Sequence, residues 1–176
     1  IIYFHKGLDF LNKLDKTAHH IGAVRSRSTL YSGLGRAYGS LKNFEQAGQY
    51  LQKTLAIHLQ LFGMKHPRVA HTYYLLGDMH NVKQSYWQAI QYLQEGLVAF
   101  IPTFNKKEAY QNPSLQDLQN LENNVGIILL ANKADAFKNY YLEVEEEDKN
   151  ILIALESAEL AIGVMEQMRL GYLSDH

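Results

Sequence analysis

One stretch of this chain occurs twice at a fixed distance. Residues 34–57 can be laid over residues 76–99 without a gap, at a constant offset of 42 positions. The identical positions include the pairs Leu34 and Leu76, Gly35 and Gly77, Gln46 and Gln88, Ala47 and Ala89, Tyr50 and Tyr92, Leu51 and Leu93, Gln52 and Gln94, and Leu55 and Leu97. Self-similarity at a period near 40 residues, with helical patterning, is typical of stacked helix pairs.

Helical periodicity extends over the rest of the chain, and no alternation of the β type reaches a useful length. The three prolines, Pro67, Pro102 and Pro113, lie between helical patterns, where a missing amide N–H and a rigid ring do least harm. The sequence therefore predicts an all-α fold. We expect a right-handed superhelical array of antiparallel helix pairs, with about seven helices in one solenoid over residues 1–176.

The first full repeat is predicted over residues 24–62. In its first helix, Tyr31, Leu34 and Tyr38 follow one another at i, i+3 and i+7, which places them on one face. A glycine inside a helix costs about 1 kcal/mol relative to alanine. The presence of Gly35 beside this face therefore predicts a close approach of the second helix, with Ala47 as the small residue that meets Gly35.

The second repeat is predicted over residues 67–101, after a connection in which Gly63 ends one helix and Pro67 begins the next. Two capping boxes are expected, one at each second helix. In a capping box the side chain of the N-cap residue accepts a hydrogen bond from the backbone N–H three residues later. The side chain of that later residue accepts in turn from the backbone N–H of the N-cap residue. The predicted pairs are Asn43 with Gln46 and Ser85 with Gln88.

The flanking segments are less regular. Residues 1–22 resemble the second helix of a preceding repeat, residues 102–113 a polar linker, and residues 114–170 a divergent helix pair that Ser114 and Asp117 cap. In the first helix of that pair either Gly126 or Ala134 can be aligned with Gly77, and Ala134 needs the smaller insertion.

The last helix can be laid over the helix that begins near Ser85. That alignment places Leu155 at the position of Ile90 and Ile162 at the position of Leu97.

Composition excludes several classes of function. The net charge is −1, so no overall field favours nucleic acid or an anionic membrane. No apolar run approaches the ~18 residues of a membrane span. Cysteine is absent, which removes disulfides, thiolate metal sites and cysteine nucleophiles. The chain begins at Ile1 and ends just beyond a helical pattern, so we expect a fragment. We also expect a cytoplasmic location.

Sites for catalysis, metals or cofactors are not predicted. The eight histidines lack metal-ligand spacing, since His66 and His71 are five residues apart and no HExxH motif occurs. The acidic run at residues 143–148 is more simply the solvated start of a helix. The glycines do not form a phosphate-binding loop, and Tyr31, Tyr38, Tyr50, Tyr73 and Tyr92 lie on packing faces rather than on a base-stacking surface.

Helix geometry leaves one candidate surface. Successive residues of a helix are about 100° apart, so side chains that point away from the packing face of each first helix line the inner side of a stacked array. The predicted partner-binding residues on this concave face are Thr29, Ser32, Arg36, His71, Tyr74, Asp78 and Asn81.

The pattern Tyr-x-x-Leu-Gly-x-x-Tyr, followed by Ala-x-x-Tyr-Leu-x-x-x-Leu, resembles the tetratricopeptide repeat. The 42-residue period and the connection Gly63-x-x-His66-Pro67-x-Val69-Ala70 look like the kinesin-light-chain type of that repeat. That type often carries two asparagines before its Leu-Gly pair, whereas this chain has Ser32-Gly33 and Tyr74-Leu75. The resemblance implies a non-catalytic scaffold for a protein or peptide partner, with no cofactor.

The C-terminal third is similar to a segment of certain bacterial proteins in which tetratricopeptide repeats precede a caspase-like peptidase domain of the CHAT type. The similarity rests on Asn112-Pro113-Ser114-Leu115, on residues 132–137 and on residues 154–172. It implies an alternative function, in which this chain is the regulatory arm of such a protease. The catalytic histidine and cysteine would then lie outside this sequence, because it contains no cysteine.

Overall fold

The computed structural model describes residues 1–14, 21–118 and 124–174. In these ranges the chain forms helices and no strand, so the predicted all-α class is confirmed. The described helices are α1 (Ile2–Leu14), α2 (Ile21–Ser40), α3 (Phe44–Phe62), α4 (Pro67–Val82), α5 (Tyr86–Phe100), α6 (Leu115–Leu118), α7 (Val125–Glu143) and α8 (Asp148–Ser174). Their number exceeds the expected seven because the single turn α6 is separate from α7.

The chain divides into two compact units, Ile1–Met64 and Lys65–His176. The first contains α1, α2 and α3. The second contains α4 to α8. Within the first unit α2 packs against α3 and α1 packs against α2. Within the second unit α4 packs against α5, and α7 packs against both α5 and α8.

Gly35 lies where α3 comes closest to α2. A Cβ atom built on Gly35 would lie 2.7 Å from Cγ of Leu51 and 3.4 Å from the carbonyl oxygen of Ala47. The predicted close approach is therefore present. Ala47 meets Gly35 as expected, but through its backbone carbonyl, since its methyl group faces Gly39, at 4.0 Å from the Cβ position there. Leu51 is the larger side chain and fills the space that Gly35 leaves.

The same contact occurs between α4 and α5. A Cβ atom on Gly77 would lie 2.7 Å from Cγ of Leu93 and 3.3 Å from the carbonyl oxygen of Ala89. These residues are the repeat equivalents of Leu51 and Ala47. Two copies of one sequence pattern therefore make two copies of one helix–helix contact.

The predicted packing of the tyrosines is confirmed around Tyr50. Its ring stacks on that of Tyr38, with centroids 5.7 Å apart and planes 4° apart, and lies 5.8 Å from the ring of Tyr31. In the second unit Tyr92 lies 6.4 Å from Tyr73 and 5.2 Å from His80. These aromatic rings contact one another between the helices of each pair.

Only part of the predicted capping chemistry is present. Asn43 Oδ1 accepts from the backbone N–H of Gln46 at 3.2 Å, but the N–H of Asn43 donates to the carbonyl of Tyr38 and not to Gln46. Ser85 is the N-cap of α5 without a side-chain cap bond, and its N–H donates to the carbonyl of His80. The predicted capping box at Ser85 is therefore wrong. The N–H group of Ser85, which Gln88 was expected to bind, is already satisfied by the carbonyl of His80 in α4.

The connection between α3 and α4 has the predicted ends. Gly63 follows α3 with φ of 73°, a left-handed conformation that favours glycine. Pro67 is at the first position of α4, where no N–H is needed. His66 supplies the cap, since its Nδ1 accepts from the N–H of Arg68 at 3.1 Å.

The box formed by Ser114 and Asp117 is complete, with Ser114 N and Oγ donating to Asp117 Oδ2 and Asp117 N donating to Ser114 Oγ. It caps the short α6, however, and the long helix α7 begins only at Val125. Residues 119–123, which the prediction placed inside that long helix, lie outside the described residues.

The proposed alignment of α8 with α5 is also wrong in detail. Ile90 and Leu97 are completely buried, whereas Leu155 and Ile162, the residues assigned to their positions, are 54% and 56% exposed. α8 packs against α7 and α6, so its other side faces away from the unit. Between residues 148 and 170 the buried positions of α8 are Asn150, Ile153, Ala154, Ser157, Ala161 and Val164.

The segment between α5 and α6 is folded onto the helices instead of forming an open linker. Ile101, Phe104 and Ala109 are buried. Lys65 Nζ donates to the carbonyls of Ile101 and Phe104 at 2.9 and 2.6 Å, which satisfies backbone acceptors just after the end of α5. These three buried side chains therefore belong to the core of the second unit.

Lys133 of α7 is completely buried behind this segment. Its Nζ donates to Gln94 Oε1 at 2.7 Å, to the carbonyl of Gln111 at 2.9 Å and to Asn112 Oδ1 at 2.8 Å. Three donors of one ammonium group thus join α5 and the segment after it to α7. Ser157 of α8 adds a fourth element, because its hydroxyl donates to Asn112 Oδ1 at 3.2 Å.

Candidate functional site

The first group of predicted binding residues, Thr29, Ser32 and Arg36, lies on one face of α2, which we call the α2 face. Their spacing of three and four residues keeps them within about one sixth of a turn. Thr29 and Arg36 are exposed and Ser32 is half-buried, whereas Leu34 and Gly35 are buried. The hydroxyl of Thr29 donates to the carbonyl of Arg25 at 3.2 Å.

The second group, His71, Tyr74, Asp78 and Asn81, lies on one face of α4, the α4 face. His71 is exposed and the other three are half-buried, while Leu76 and Gly77 are buried against α5. The rings of His71 and Tyr74 stack with centroids 5.7 Å apart and planes 16° apart. This face therefore presents an aromatic pair one helical turn before a carboxylate.

Asn81 ties the α4 face to α7. Its Nδ2 donates to Asp135 Oδ2 at 3.2 Å, and its Oδ1 accepts from Asn139 Nδ2 at 3.4 Å. Lys138 pairs with Asp135 on the other side. Burial opposes ionisation of Asp135, but the hydrogen bonds and charge of Lys138, with the two amides, hold the pKa of its carboxyl below the usual value. Asp135 therefore stays a carboxylate at neutral pH.

Asp135, Lys138 and Asn139 were not among the predicted site residues. A signal for them was present in the sequence. When Ala134 is aligned with Gly77, Asp135 falls at the position of Asp78 and Lys138 at the position of Asn81. Carrying the partner-binding face over to α7 in that register would have included two of the three.

The α4 face and the side chains joined to it offer hydrogen bonds, a carboxylate and aromatic contacts for a ligand. In residues 1–14, 21–118 and 124–174, no three His, Cys, Asp or Glu side chains come together as a metal site needs. His66 caps α4, and His80 packs against Tyr92. Burial and the nearby charge of Lys83 lower the pKa of His80, which keeps this histidine neutral at pH 7.

The sequence model of the family described as Tetratricopeptide repeat matches residues 26–99. Residues 26–99 are tetratricopeptide repeats. The match spans α3 and α4 completely and most of α2 and α5, which are the helices built from the duplicated stretch. No curated protein and no solved structure matches the chain significantly. The resemblances to the kinesin-light-chain type and to CHAT-associated segments stay predictions.

Tetratricopeptide repeats generally mediate protein–protein interactions. No helix in the part of the chain that the structure describes has the length and apolar content of a membrane span.

Proposed function

We propose that this tetratricopeptide repeat protein is a non-catalytic scaffold that binds a peptide or a partner domain through its α2 and α4 faces. The support is that the first helix of each repeat uses one side for packing and keeps a polar side exposed or half-exposed. The duplicated residues of these two helices, Leu34 with Leu76 and Gly35 with Gly77, lie on the packing sides and are buried. Partner selection therefore falls to positions where the two copies differ, such as Ser32 and Tyr74 or Arg36 and Asp78.

The observation that carries this proposal is the polar join between α4 and α7. Asn81, Asp135 and Asn139 hold the two helices side by side, so the α4 face extends onto a second helix. A surface built from parallel rows of polar side chains on neighbouring helices suits an extended segment lying across or along it.

The size of the α4 face fits a short linear segment. His71 and Asn81 are ten residues apart, which is about 15 Å along a helix. An extended chain advances about 3.3 Å per residue, so roughly four to five residues of a bound segment would lie beside the face. The stacked rings of His71 and Tyr74 offer an apolar contact, and Asp78 offers an acceptor for a donor on the ligand.

A peptide library displayed on phage and selected against the whole chain tests the proposal. We expect selected peptides to bind the double variant Arg36→Ala with Asp78→Ala at least tenfold more weakly than the wild type, by isothermal titration calorimetry. The control is Glu108→Ala, which removes an exposed carboxylate from the segment after α5. Full affinity of every selected peptide for the double variant would contradict binding at these faces.

The alternative is that the repeats form the regulatory arm of a CHAT-type peptidase. It rests on the similarity of residues 112–115, 132–137 and 154–172 to segments that join repeats to such domains. Reading the coding sequence that follows the codon for His176 tests it, because a caspase-like domain with a histidine and a cysteine is required there. Its absence would reject this alternative and leave the scaffold proposal unaffected.

A further inference from the structure

One side of α8 carries a row of apolar residues that the unit does not bury. The residues are spaced four and three apart, and we call them the α8 stripe: Ile151, Leu155, Ala158, Ile162 and Met165. Leu155, Ile162 and Met165 are 54%, 56% and 55% exposed. Ile151 and Ala158 are half-buried.

The spacing of the α8 stripe is that of a helix–helix seam. Alternating steps of three and four residues average 3.5, the period that keeps an apolar row facing a second helix over several turns. The stripe covers fourteen residue steps, or about 21 Å of helix. An apolar row of this length, in which three side chains are more than half exposed, is a mark of an interaction surface.

Charge restricts what can cover the stripe. Glu156, Glu159 and Glu166 are exposed, and no lysine or arginine occurs between residues 150 and 168. The first cation after this range is Arg169, which is exposed and lies beyond the end of the stripe, four residues after Met165. At 100° per residue, Glu159 and Glu166 border the stripe on the side away from the core. Ala154 and Ala161, which are buried, border it on the other side. The stripe therefore has one acidic edge.

We propose that the α8 stripe docks an amphipathic helix of a partner protein, with aliphatic residues in a three–four spacing and Lys or Arg along one edge. In an antiparallel pair of α8 helices the rows that hold Glu159 and Glu166 would face each other, and these like charges oppose self-association. An anionic membrane surface is repelled by the same acidic edge, since helices that bind such surfaces carry Lys and Arg. This surface is separate from the α2 and α4 faces and goes beyond the function proposed for them.

A pair of synthetic helices tests this proposal on the whole chain. Both peptides have three heptads, about 21 residues, with Ile and Leu at the core positions. One has Lys at the flanking positions and the other has Glu. By fluorescence anisotropy of labelled peptides, the Lys peptide should bind at least tenfold more tightly than the Glu peptide. The variant Leu155→Ser with Ile162→Ser should lose at least tenfold in affinity for the Lys peptide.

A charge reversal separates this site from general attraction between opposite charges. The variant Glu159→Lys with Glu166→Lys should prefer the Glu peptide, and the Ser variant of the stripe should bind neither. Arg36→Ala with Asp78→Ala should bind the Lys peptide as the wild type does, so failure here is distinguishable from failure of the α2 and α4 faces. All substituted positions on α8 are exposed, and circular dichroism checks that the variants keep their helix content.

Three results would overturn the proposal. The first is equal affinity for the Lys and Glu peptides, or for the wild type and the Leu155→Ser, Ile162→Ser variant. The second is a dimer in sedimentation equilibrium that this variant abolishes, which would assign the stripe to a second copy. The third is binding to vesicles of phosphatidylglycerol that the same variant abolishes, which would assign it to a membrane.

Discussion

Replacing Lys133 by methionine should lower the free energy of unfolding of residues 65–176 by about 2–3 kcal/mol. Methionine keeps much of the length and the apolar stem of lysine but has no donor. Lys133 gives hydrogen bonds to three acceptors in a site where its side chain is completely buried. Gln111 retains a second donor in Gln94 Nε2, and Asn112 Oδ1 keeps the Ser157 hydroxyl at 3.2 Å, whose single proton it shares with the carbonyl of Ile153. Gln94 Oε1 would be left without its bond to Lys133, so most of the cost is expected there.

Two opposing effects determine how much stability Lys133→Met is expected to lose. Burial disfavours the ammonium form and lowers the pKa of Lys133 to about 7, against a weaker opposite effect of Glu156. At neutral pH the buried amine is therefore charged only part of the time, and removing it relieves some desolvation cost. The neutral amine still donates two hydrogen bonds, however, so the loss of donors outweighs that relief.

The measurement is urea unfolding followed by the fluorescence of Trp87. This is the only tryptophan in the sequence, and its ring lies 6.0 Å from that of Tyr110 and 5.7 Å from that of Tyr140. It therefore reports on the packing of α5, α7 and the segment that Lys133 holds. Lys138→Met is the control, because it removes an exposed lysine from the same helix and should change stability by about 0.5 kcal/mol or less. Equal effects of the two substitutions would contradict a special role for Lys133.

The cost of Lys133→Met should also depend on pH. The pKa of Lys133 is about 7 in the folded chain and about 10.4 in an unfolded one. Between these values the unfolded state binds more protons, so the stability of the wild type rises with pH. The variant lacks this titration. Its deficit should therefore be smallest near pH 6 and should increase by up to about 1.4 kcal/mol per pH unit above pH 7. A deficit that is constant between about pH 6 and about pH 9 would contradict the lowered pKa.

The complete burial of Lys133 is not what its residue type predicts. A lysine in a helical pattern is ordinarily assigned to solvent, and the sequence predicts a polar linker over residues 102–113. The available signal was local: Leu129, Leu130, Ala136 and Phe137 stand one turn before and after Lys133, so its helix face is apolar. What the pattern could not provide was the set of acceptors, because Gln94 and Gln111 are brought there by the tertiary fold.

The repeats could be predicted because each depends on contacts within one helix pair. Gly35 and Gly77 signalled the close approach of α3 and α5, and the structure has both. The third pair could not be aligned from its apolar residues. α8 exposes Leu155 and Ile162, so a rule that assigns aliphatic side chains to the core selects the wrong face of that helix.

The candidate site could also be predicted from the sequence only in part. Each face followed from the 100° helical step, since residues that alternate by three and four stay on one side. The join of Asn81 with Asp135 and Asn139 did not follow, because it depends on which helix lies beside α4. Local periodicity determines the side of a helix on which a residue lies, and neighbouring helices determine what it contacts.

Replacing Gly35 by alanine should destabilise residues 1–64 by about 1–3 kcal/mol, although alanine is the better helix former. The added methyl group would lie 2.7 Å from the Cδ2 methyl of Leu51 and 2.7 Å from its Cγ, which is the branch point of that side chain and not a flexible end. Leu51 is buried and can move only by disturbing the α2–α3 contact. Urea unfolding followed by far-UV circular dichroism gives the change in free energy.

Gly39→Ala is the matched control, because it makes the same substitution one turn later in the same helix. The new Cβ atom would lie 4.0 Å from that of Ala47, an ordinary contact, so helix propensity should dominate and stabilise the chain by up to about 1 kcal/mol. Opposite signs at Gly35 and Gly39 are therefore expected. Destabilisation at both positions would point to the helix backbone and not to Leu51. A double variant, Gly35→Ala with Leu51→Ala, separates these causes further, since removing the clashing side chain should make the combined cost smaller than the sum of the two single costs.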